Sequence, residues 1–190
     1  MMLKLDQKKL IKAGKVRYVG LSNETPWGML KFLQVAKEKN LPRMMTIQNV
    51  YNLVNRVFDI ANSEVAIREN CGLLAYSPLA GGRITGKYLN GAQPKNTRYT
   101  LWPSRFSRHA TERGDRAISK YVELAKKYNL TPAKMANAYV NDKSFVTSNI
   151  IGATNLEQLK ENIDSININL SQEIMSEIEA IHAYDPNPCV

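Results

Sequence analysis

The sequence predicts an α/β fold in which parallel strands are joined by helices. Patterns typical of a strand and of a helix alternate four times along the 190-residue chain. Such alternation requires parallel strands connected by helical crossovers. The nearly continuous apolar runs GLLAY and NIIGA are typical of strands in a sheet that is covered on both faces. Because no linker or shift in composition divides the chain, residues 1–190 are expected to form a single domain.

The four strands are predicted from runs of aliphatic, β-branched and aromatic residues that are bounded by turn-forming residues. In chain order they cover Val16–Leu21, Met44–Val50, Gly72–Ser77 and Ser148–Ala153.

Helices are predicted where apolar residues recur every three or four positions behind a capping residue. Thr25 and Thr131 are each followed by a proline, which the first position of a helix accepts because it needs no N–H donor there. The helix after Thr25 is expected to bury Met29, Leu30 and Leu33. The predicted helices cover Leu3–Ala13, 26–39, Ile60–Glu69, Asp115–Tyr128, Ala133–Val140, Leu156–Ile163 and Ser171–Ala183.

Polar or aromatic side chains stand at the carboxyl end of every predicted strand. They are Ser22 with Asn23, Gln48 with Asn49, Tyr76 with Ser77, and the segment Gly152–Asn155. Parallel strands place these ends on one face, where α/β proteins bind ligands, so the pattern predicts a single ligand site. Independent turn chemistry at each loop is the alternative, since Ser and Asn side chains also bond to nearby backbone.

Composition restricts the class of protein. The chain is 44% hydrophobic and 23% charged, and it contains no apolar run of the length that a membrane span requires. Its first ten residues lack the apolar core and the cleavage site of a signal peptide. Cys71 and Cys189 are too few for a disulfide framework and lack metal-ligand spacing. A cytoplasmic, reduced protein is therefore expected.

A net charge of +9 suggests an anionic partner, such as nucleic acid, an acidic protein or a phosphorylated small molecule. A long loop is predicted from Leu79 to about Arg113, and many of the cations lie in it or just after it. With its interleaved aromatics, this segment is typical either of a solvated loop beside a site or of a nucleic-acid surface. The loop interpretation is preferred, and no nucleic-acid partner is expected, because the sequence has no helix-turn-helix, zinc-finger or RNP motif.

Four blocks of sequence resemble consecutive segments of the aldo-keto reductases, most closely their Tas-like branch, which is also similar to the β subunits of potassium channels. The blocks are AGKVRYVGLSNETP, IQNVYNL, LLAYSPLAGGRITGKYLNG and IIGATNLEQLKENI, spread from about Lys12 to Ala183. The resemblance implies a (β/α)8 TIM barrel that reduces aldehydes and ketones with NADPH. A complete barrel takes about 250 residues, and the blocks match only its last four strand–helix units. The chain is therefore expected to be the carboxyl-terminal half of such a barrel.

The resemblance also implies which residues bind the nicotinamide end of NADP(H). Ser22, Asn23 and Gln48 would hold the carboxamide, and Tyr76 would stack its ring on the nicotinamide. An ordinary core position is the alternative for Tyr76.

For the rest of the cofactor, the resemblance implies two further groups of residues. The pyrophosphate would lie along Ser77, Pro78, Leu79, Ala80 and Gly81, near Lys87 and Arg98. The 2′-phosphate and adenosine would meet Gly152, Thr154, Gln158, Glu161 and Asn162. The alternative for Gln158 and Asn162 is a solvated face of a helix.

No catalytic residue can be named from the sequence. The Asp, Tyr, Lys and His that the family uses belong to its first half, and neither His109 nor His182 has a Tyr–Lys pair at a motif spacing. The chain alone is thus expected to be inactive, and a non-catalytic NADP-binding regulatory subunit is the alternative function. A half barrel would leave sheet edges and an apolar face uncovered, which favours self-association or a complementary half.

Overall fold

The computed structural model describes residues 8–102 and 110–190 of the chain. Of the helix predicted at Leu3–Ala13, residues 8–12 are helical and form α1, while the part before residue 8 lies outside the described residues. His109 also lies outside them.

Four parallel strands form one sheet, in the order β1-β2-β3-β4. The strands β1 and β2 pair with Val19 opposite Met44 and Ser22 opposite Gln48. The predicted α/β fold with parallel strands is therefore confirmed. The strands are β1 (Val19–Ser22), β2 (Met44–Val50), β3 (Gly72–Tyr76) and β4 (Val146–Ile150).

The predicted bounds of β2 are correct, but those of β1 and β4 are wrong by several residues. The strand β1 begins at Val19 rather than Val16, because its pairing with β2 starts there. The strand β4 ends at Ile150 rather than Ala153, so Gly152 lies in the following loop. The carbonyl of Gly152 accepts a hydrogen bond from a side chain in the next helix.

The helices follow the predicted alternation, and most of them begin behind a residue whose side chain caps the helix. The Thr25 side chain accepts from the Gly28 N–H, and Thr131 caps its helix in the same way. In the predicted long loop, the structure adds 3-10 turns at Ala80–Thr85 and Leu89–Gly91. The helices are α2 (Pro26–Glu38), α3 (Asn62–Arg68), α4 (Arg98–Leu101), α5 (Glu112–Lys127), α6 (Pro132–Asn141), α7 (Leu156–Asp164) and α8 (Gln172–Tyr184).

The described residues fall into two compact units. Unit 1 consists of those within Met1–Asn49, together with Phe58–Leu74 and Ser144–Ser148. Unit 2 consists of Val50–Val57, the described part of Ala75–Lys143, and Asn149–Val190.

Unit 1 has a core of aliphatic side chains from α2 and the strands. Met29, Ile47 and Leu73 are fully buried, and the rings of Phe58 and Phe145 pack with their centroids 5.5 Å apart. The expectation that Leu30 is buried is wrong, since 44% of it is exposed, whereas Met29 and Leu33 are buried as predicted.

Unit 2 is built around buried tyrosines and its helices. The stacked rings of Tyr51 and Tyr139 lie 6.2 Å apart, and Tyr121 on α5 is almost fully buried. Burial raises the pKa of the Tyr121 hydroxyl well above its usual range, because the charged form would lose its hydration. This tyrosine is therefore a neutral packing residue.

The last residues of the chain are fastened to unit 2 by hydrogen bonds. The Cys189 N–H donates to the Val54 carbonyl at 3.1 Å, and Arg113 donates through Nε to Asp185 at 2.8 Å. Burial raises the pKa of the Cys189 thiol to about 11. The thiol is consequently protonated at neutral pH.

The strands are not covered equally on both faces, in contrast to the expectation from their apolar runs. Along β3, Leu73 and Ala75 are fully buried, whereas Gly72, Leu74 and Tyr76 are only partly buried. Such alternation is typical of a sheet that is packed on one face. Among the helices in the described part of the chain, none is both long and apolar enough to cross a membrane.

We expect Ile47→Ala to lower the free energy of unfolding by about 2–5 kcal/mol, because it leaves a cavity in the core of unit 1. Met45 on the same strand is 41% exposed, so Met45→Ala serves as the control and should change the stability by no more than about 0.5 kcal/mol. Urea denaturation of both variants measures the difference. Equal losses of stability would show that the side of β2 facing the core has been misassigned.

Candidate cofactor site

In unit 1, the predicted nicotinamide residues come together at the ends of β1 and β2. Ser22 lies opposite Gln48 in the sheet register, and the Asn23 N–H donates to the Gln48 carbonyl at 2.9 Å. The Asn23 side chain donates to the Ser22 hydroxyl at 3.4 Å. Asn23 has a φ of 51°, a left-handed conformation that asparagine tolerates better than most residues. Three neutral residues with hydrogen-bonding side chains are thus neighbours at this edge of the sheet.

Two asparagine amides, one buried and one half-buried, anchor the loop that follows β1. Asn49 and Asn62 both donate through Nδ2 to the Glu24 carbonyl, at 3.4 and 3.3 Å. The Asn49 Oδ1 atom is buried and has no partner among the described residues. A buried acceptor next to Gln48 would be satisfied by a water or by a donor on a ligand.

In unit 2, the chain turns sharply after β3 through residues with positive φ. Ser77 has a φ of 56° and Ala80 one of 48°, and neither is a residue type that favours this region. Pro78 and Ala80 are buried, while Tyr76, Ser77 and Leu79 remain partly accessible. Left-handed residues of this kind are strained, and such strain is common at binding sites.

Asn52 holds this strained turn in place. Its side chain is fully buried, donating through Nδ2 to the Ser77 carbonyl and accepting from the Val54 N–H, both at 3.0 Å. Nothing in the sequence analysis singled out Asn52. The available signal was a pair of asparagines in YNLVN, where Asn52 and Asn55 exchange backbone hydrogen bonds in a tight turn.

The glycines after Ala80 lie against side chains that leave little room for a further carbon atom. A Cβ on Gly82 would come within 3.3 Å of the Lys87 ammonium, and one on Gly81 within 3.2 Å of the Tyr99 hydroxyl. Both glycines have positive φ, 96° and 68°, so other residues would also be strained there. The predicted phosphate residue Lys87 therefore lies against Gly82, which directly follows the predicted residue Gly81.

Arg83 is a structural residue of this glycine loop that the sequence analysis missed. It is 7% exposed, forms an ion pair with Asp115, and lies over the rings of Tyr88 and Tyr99 at 5.8 and 5.1 Å. Its Nε atom is buried without a partner among the described residues. The available signal was an arginine directly after two glycines, in a segment that otherwise buries Ala80 and Ile84.

Arg98 and Gly152, which are distant in the sequence, are close together in unit 2. A Cβ on Gly152 would lie 3.4 Å from the Nη2 atom of Arg98. The guanidinium therefore covers the backbone of the β4–α7 loop. This places a permanent positive charge against the loop for which the sequence predicts contact with the 2′-phosphate.

Gln158 occupies the donors at the start of α7. Its Oε1 atom accepts from both the N–H and the hydroxyl of Thr154, each at 3.0 Å, while Asn155 caps the helix by accepting from the Gln158 N–H. Thr154 and Gln158, both predicted cofactor-binding residues, are therefore hydrogen-bonded to each other. The Gln158 Oε1 atom thus occupies a position close to the positive end of the α7 dipole, where an oxygen of an anion could bind.

Glu161 and Asn162 on α7 face inward to protein partners. Glu161 accepts a hydrogen bond from the Thr131 hydroxyl. Asn162 is 5% exposed, donates to the Gly152 carbonyl at 3.2 Å and accepts from Asn137 at 2.9 Å. A solvated position for Asn162 is therefore wrong, because its amide supports the loop from below.

The aldo/keto reductase family model matches residues 6–183. The chain belongs to this family. Protein tas from Escherichia coli K12 is 48% identical over 171 residues, which is 90% of this chain and 49% of that protein. An aldo-keto reductase from Babesia bovis is 38% identical over 81% of this chain and 56% of its own length. L-Glyceraldehyde 3-phosphate reductase from Escherichia coli K12 is 32% identical over 83% of this chain and 46% of its own length.

Membership in the aldo/keto reductase family confirms the family that the four sequence blocks indicated and the predicted TIM-barrel class of the fold. The family consists of oxidoreductases that generally use NAD(P)H. The chain spans about half the length of the curated relatives it matches, consistent with the predicted carboxyl-terminal half. Within residues 8–102 and 110–190, no cluster of three or more His, Cys, Asp or Glu side chains could hold a metal ion.

We expect Asn52→Ala to lower the free energy of unfolding by about 1–3 kcal/mol, because it removes the side-chain donor to the Ser77 carbonyl and leaves the buried Val54 N–H without its acceptor. Ser77→Gly should cost little, since glycine adopts a positive φ without steric strain. The double variant should lose less stability than the two single variants together, because a turn relieved of strain at residue 77 depends less on the hydrogen bond from Asn52. Urea denaturation of the four proteins measures this coupling, and strictly additive effects would contradict the role given to Asn52.

Proposed function

We propose that this chain binds NADP(H) and supplies the cofactor-binding part of an aldo/keto reductase that reduces aldehydes or ketones. The main support is the placement of two cations against glycine backbone in unit 2. The Lys87 ammonium lies beside Gly82, and the Arg98 guanidinium lies beside Gly152. A phosphate group can approach a glycine closely, so a cation at the same point would neutralise its charge. The family generally uses NAD(P)H, and this arrangement favours the phosphorylated form.

The proposed nicotinamide end is neutral and rich in hydrogen-bonding groups. A carboxamide has both donors and an acceptor, which the Ser22 hydroxyl and the amides of Asn23 and Gln48 can match. An uncharged cluster also suits hydride transfer, because no nearby charge favours one oxidation state of the nicotinamide. Tyr76 keeps part of its side chain accessible and is the residue proposed to stack on the ring.

The other residues proposed to bind the cofactor orient it and take no part in the reaction themselves. The bound nicotinamide supplies the hydride, and a proton must reach the carbonyl oxygen as the hydride arrives. By resemblance, the family's Tyr donates that proton with its pKa lowered by the Lys, and neither residue has a match in this chain. We therefore propose that the catalytic tetrad is absent here and that carbonyl substrates bind only when a complementary half is present.

A non-catalytic NADP-binding regulatory or scaffold subunit is the second candidate function. It rests on the same binding residues together with the absence of the tetrad. In either case we expect a cytoplasmic, single-domain protein that associates with itself or with a complementary half and binds no nucleic acid.

Gln48→Ala should weaken NADPH binding by about 1–3 kcal/mol, through the loss of one or two hydrogen bonds to the carboxamide. Gln34 is an exposed glutamine on α2 and provides the matched control. Fluorescence titration of both variants with NADPH measures the effect. Unchanged binding by Gln48→Ala, or equal weakening by Gln34→Ala, would rule out the proposed nicotinamide end.

The chain alone should not oxidise NADPH with an aldehyde at an ordinary enzymatic rate. Without a placed acid, proton transfer alone loses a factor of about 10²–10⁴ in rate. An absorbance assay for NADPH, with and without added amino-terminal half of a related aldo/keto reductase, measures this. Activity that appears only with the added half favours the enzymatic proposal, while binding without activity in both mixtures favours the regulatory one. Rapid turnover by the chain alone would show that its catalytic residues have been overlooked.

A further inference from the structure

Three asparagines in unit 2 form a chain of hydrogen bonds that ends on the Gly152 carbonyl. Asn149 on β4 donates through Nδ2 to Oδ1 of Asn137 at 3.2 Å. Asn137 on α6 donates through Nδ2 to Oδ1 of Asn162 at 2.9 Å, and Asn162 donates to Gly152 at 3.2 Å. We call these three residues the asparagine relay. Asn137 is fully buried and Asn162 is 5% exposed, so water does not compete for most of these bonds.

The Gly152 carbonyl fixes the direction of every amide in the relay. A main-chain carbonyl can only accept, so Asn162 must turn its Nδ2 toward Gly152 and its Oδ1 toward Asn137. Asn137 must then present Nδ2 to Asn162, which leaves its Oδ1 for Asn149. The second hydrogen of Asn149 Nδ2 is satisfied by Asn141 Oδ1 at 3.1 Å. The relay therefore has one orientation, and its central member is Asn137.

The relay ends at the loop that carries the proposed 2′-phosphate contacts. Gly152 lies beneath the Arg98 guanidinium, and two residues later the Thr154 N–H and hydroxyl bond to Gln158. The plane of the peptide that follows Gly152 sets the direction of the backbone toward Thr154. Holding the Gly152 carbonyl thus holds both the surface under Arg98 and the donors at the start of α7.

We propose that Asn137 is a positioning residue for the 2′-phosphate of NADP(H), acting through Asn162 on the β4–α7 loop; this inference rests on the proposed function. Asn137 does not touch the cofactor, because it is fully buried on α6. Its hydrogen bond to Oδ1 of Asn162 keeps that amide from rotating, the bond accepted from Asn149 holds Asn137 itself, and Asn162 in turn keeps Gly152 in place. Selectivity for NADPH over NADH is therefore partly determined by a side chain beneath the binding surface.

A purely structural role for Asn137 makes a different prediction. Loss of packing alone would lower the melting temperature and weaken NADPH and NADH binding by the same factor. Loss of positioning would instead weaken NADPH binding selectively, because only NADPH carries the 2′-phosphate. The ratio of the two dissociation constants separates these cases.

The test uses the full chain with Asn137→Leu, which is similar in size and suits a helix interior, and with Asn137→Ala, which cannot overpack. Ser165→Ala is the matched control, since Ser165 is also buried and donates to the Asn162 main-chain carbonyl at 2.6 Å, so that the side-chain amides of the relay keep their hydrogen bonds in this variant. Amide NMR shifts of residues 152–154 are recorded without ligand, and NADPH and NADH are titrated separately. Melting temperatures are measured for all four proteins.

We expect both Asn137 variants to shift the amide signals of residues 152–154 and to raise the Kd for NADPH about tenfold, the effect of roughly one or two hydrogen bonds. The Kd for NADH should change less than about twofold, and Ser165→Ala should preserve the NADPH-to-NADH ratio even where it lowers the melting temperature. If the wild-type chain prefers NADPH and the Asn137 variants have the same ratio of NADPH to NADH dissociation constants, this inference alone is overturned. A wild-type chain that binds neither cofactor would overturn the proposed function and this inference together.

Discussion

The loops of the candidate site depend on one recurring interaction, a hydrogen bond from a buried or half-buried asparagine amide to a loop carbonyl. After β1, Asn49 and Asn62 donate to Glu24. After β3, Asn52 donates to Ser77, and after β4, Asn162 donates to Gly152. Each of these bonds ties the backbone of a loop to a side chain elsewhere in the chain, and one such bond typically contributes about 0.5–1.5 kcal/mol to stability.

This use of neutral amides has a consequence for charge. An asparagine fixes the backbone without adding a charge that would compete with a phosphate or repel it. Arg83 in the glycine loop is 7% exposed and forms an ion pair with Asp115. Its positive charge is therefore largely neutralised and contributes little to the electrostatic potential around the loop. Lys87 and Arg98 lie against Gly82 and Gly152, where an approaching anion would meet them. In this arrangement the asparagines hold the backbone and the cations attract the phosphate. The proposed role of Asn137 belongs to the first group, since it fixes the position of the backbone and adds no charge.

Much of the fold follows from local patterns, whereas the supporting residues do not. The bounds of β2 and the capped starts of α2 and α6 are set by neighbouring residues, so composition and capping rules predict them. The end of β4 was misplaced because NIIGA continues its apolar run beyond the point where strand pairing stops. No local pattern reports that Gly152 bonds to a helix ten residues later.

Asn52, Arg83 and Asn137 escaped the sequence analysis for the same reason. Their partners are 25, 32 and 25 residues away in the chain, so only the folded structure shows that they are satisfied. Asn137 in particular occupies a helix interior, where an asparagine is neither favoured nor diagnostic. By contrast, Ser22, Gln48 and Thr154, which are proposed to contact the cofactor, stand at predicted strand ends, and a resemblance carried by whole blocks of sequence was sufficient to propose them.

The central claim is that this chain contains a site for the phosphates of NADP(H). Titration calorimetry of the purified chain with NADPH, at low and at raised salt, tests it most directly. The account predicts saturable binding of one NADPH per chain that weakens as salt screens the attraction of Lys87 and Arg98 for the phosphates. The absence of binding at low salt, or binding of equal strength at both salt concentrations, would contradict it.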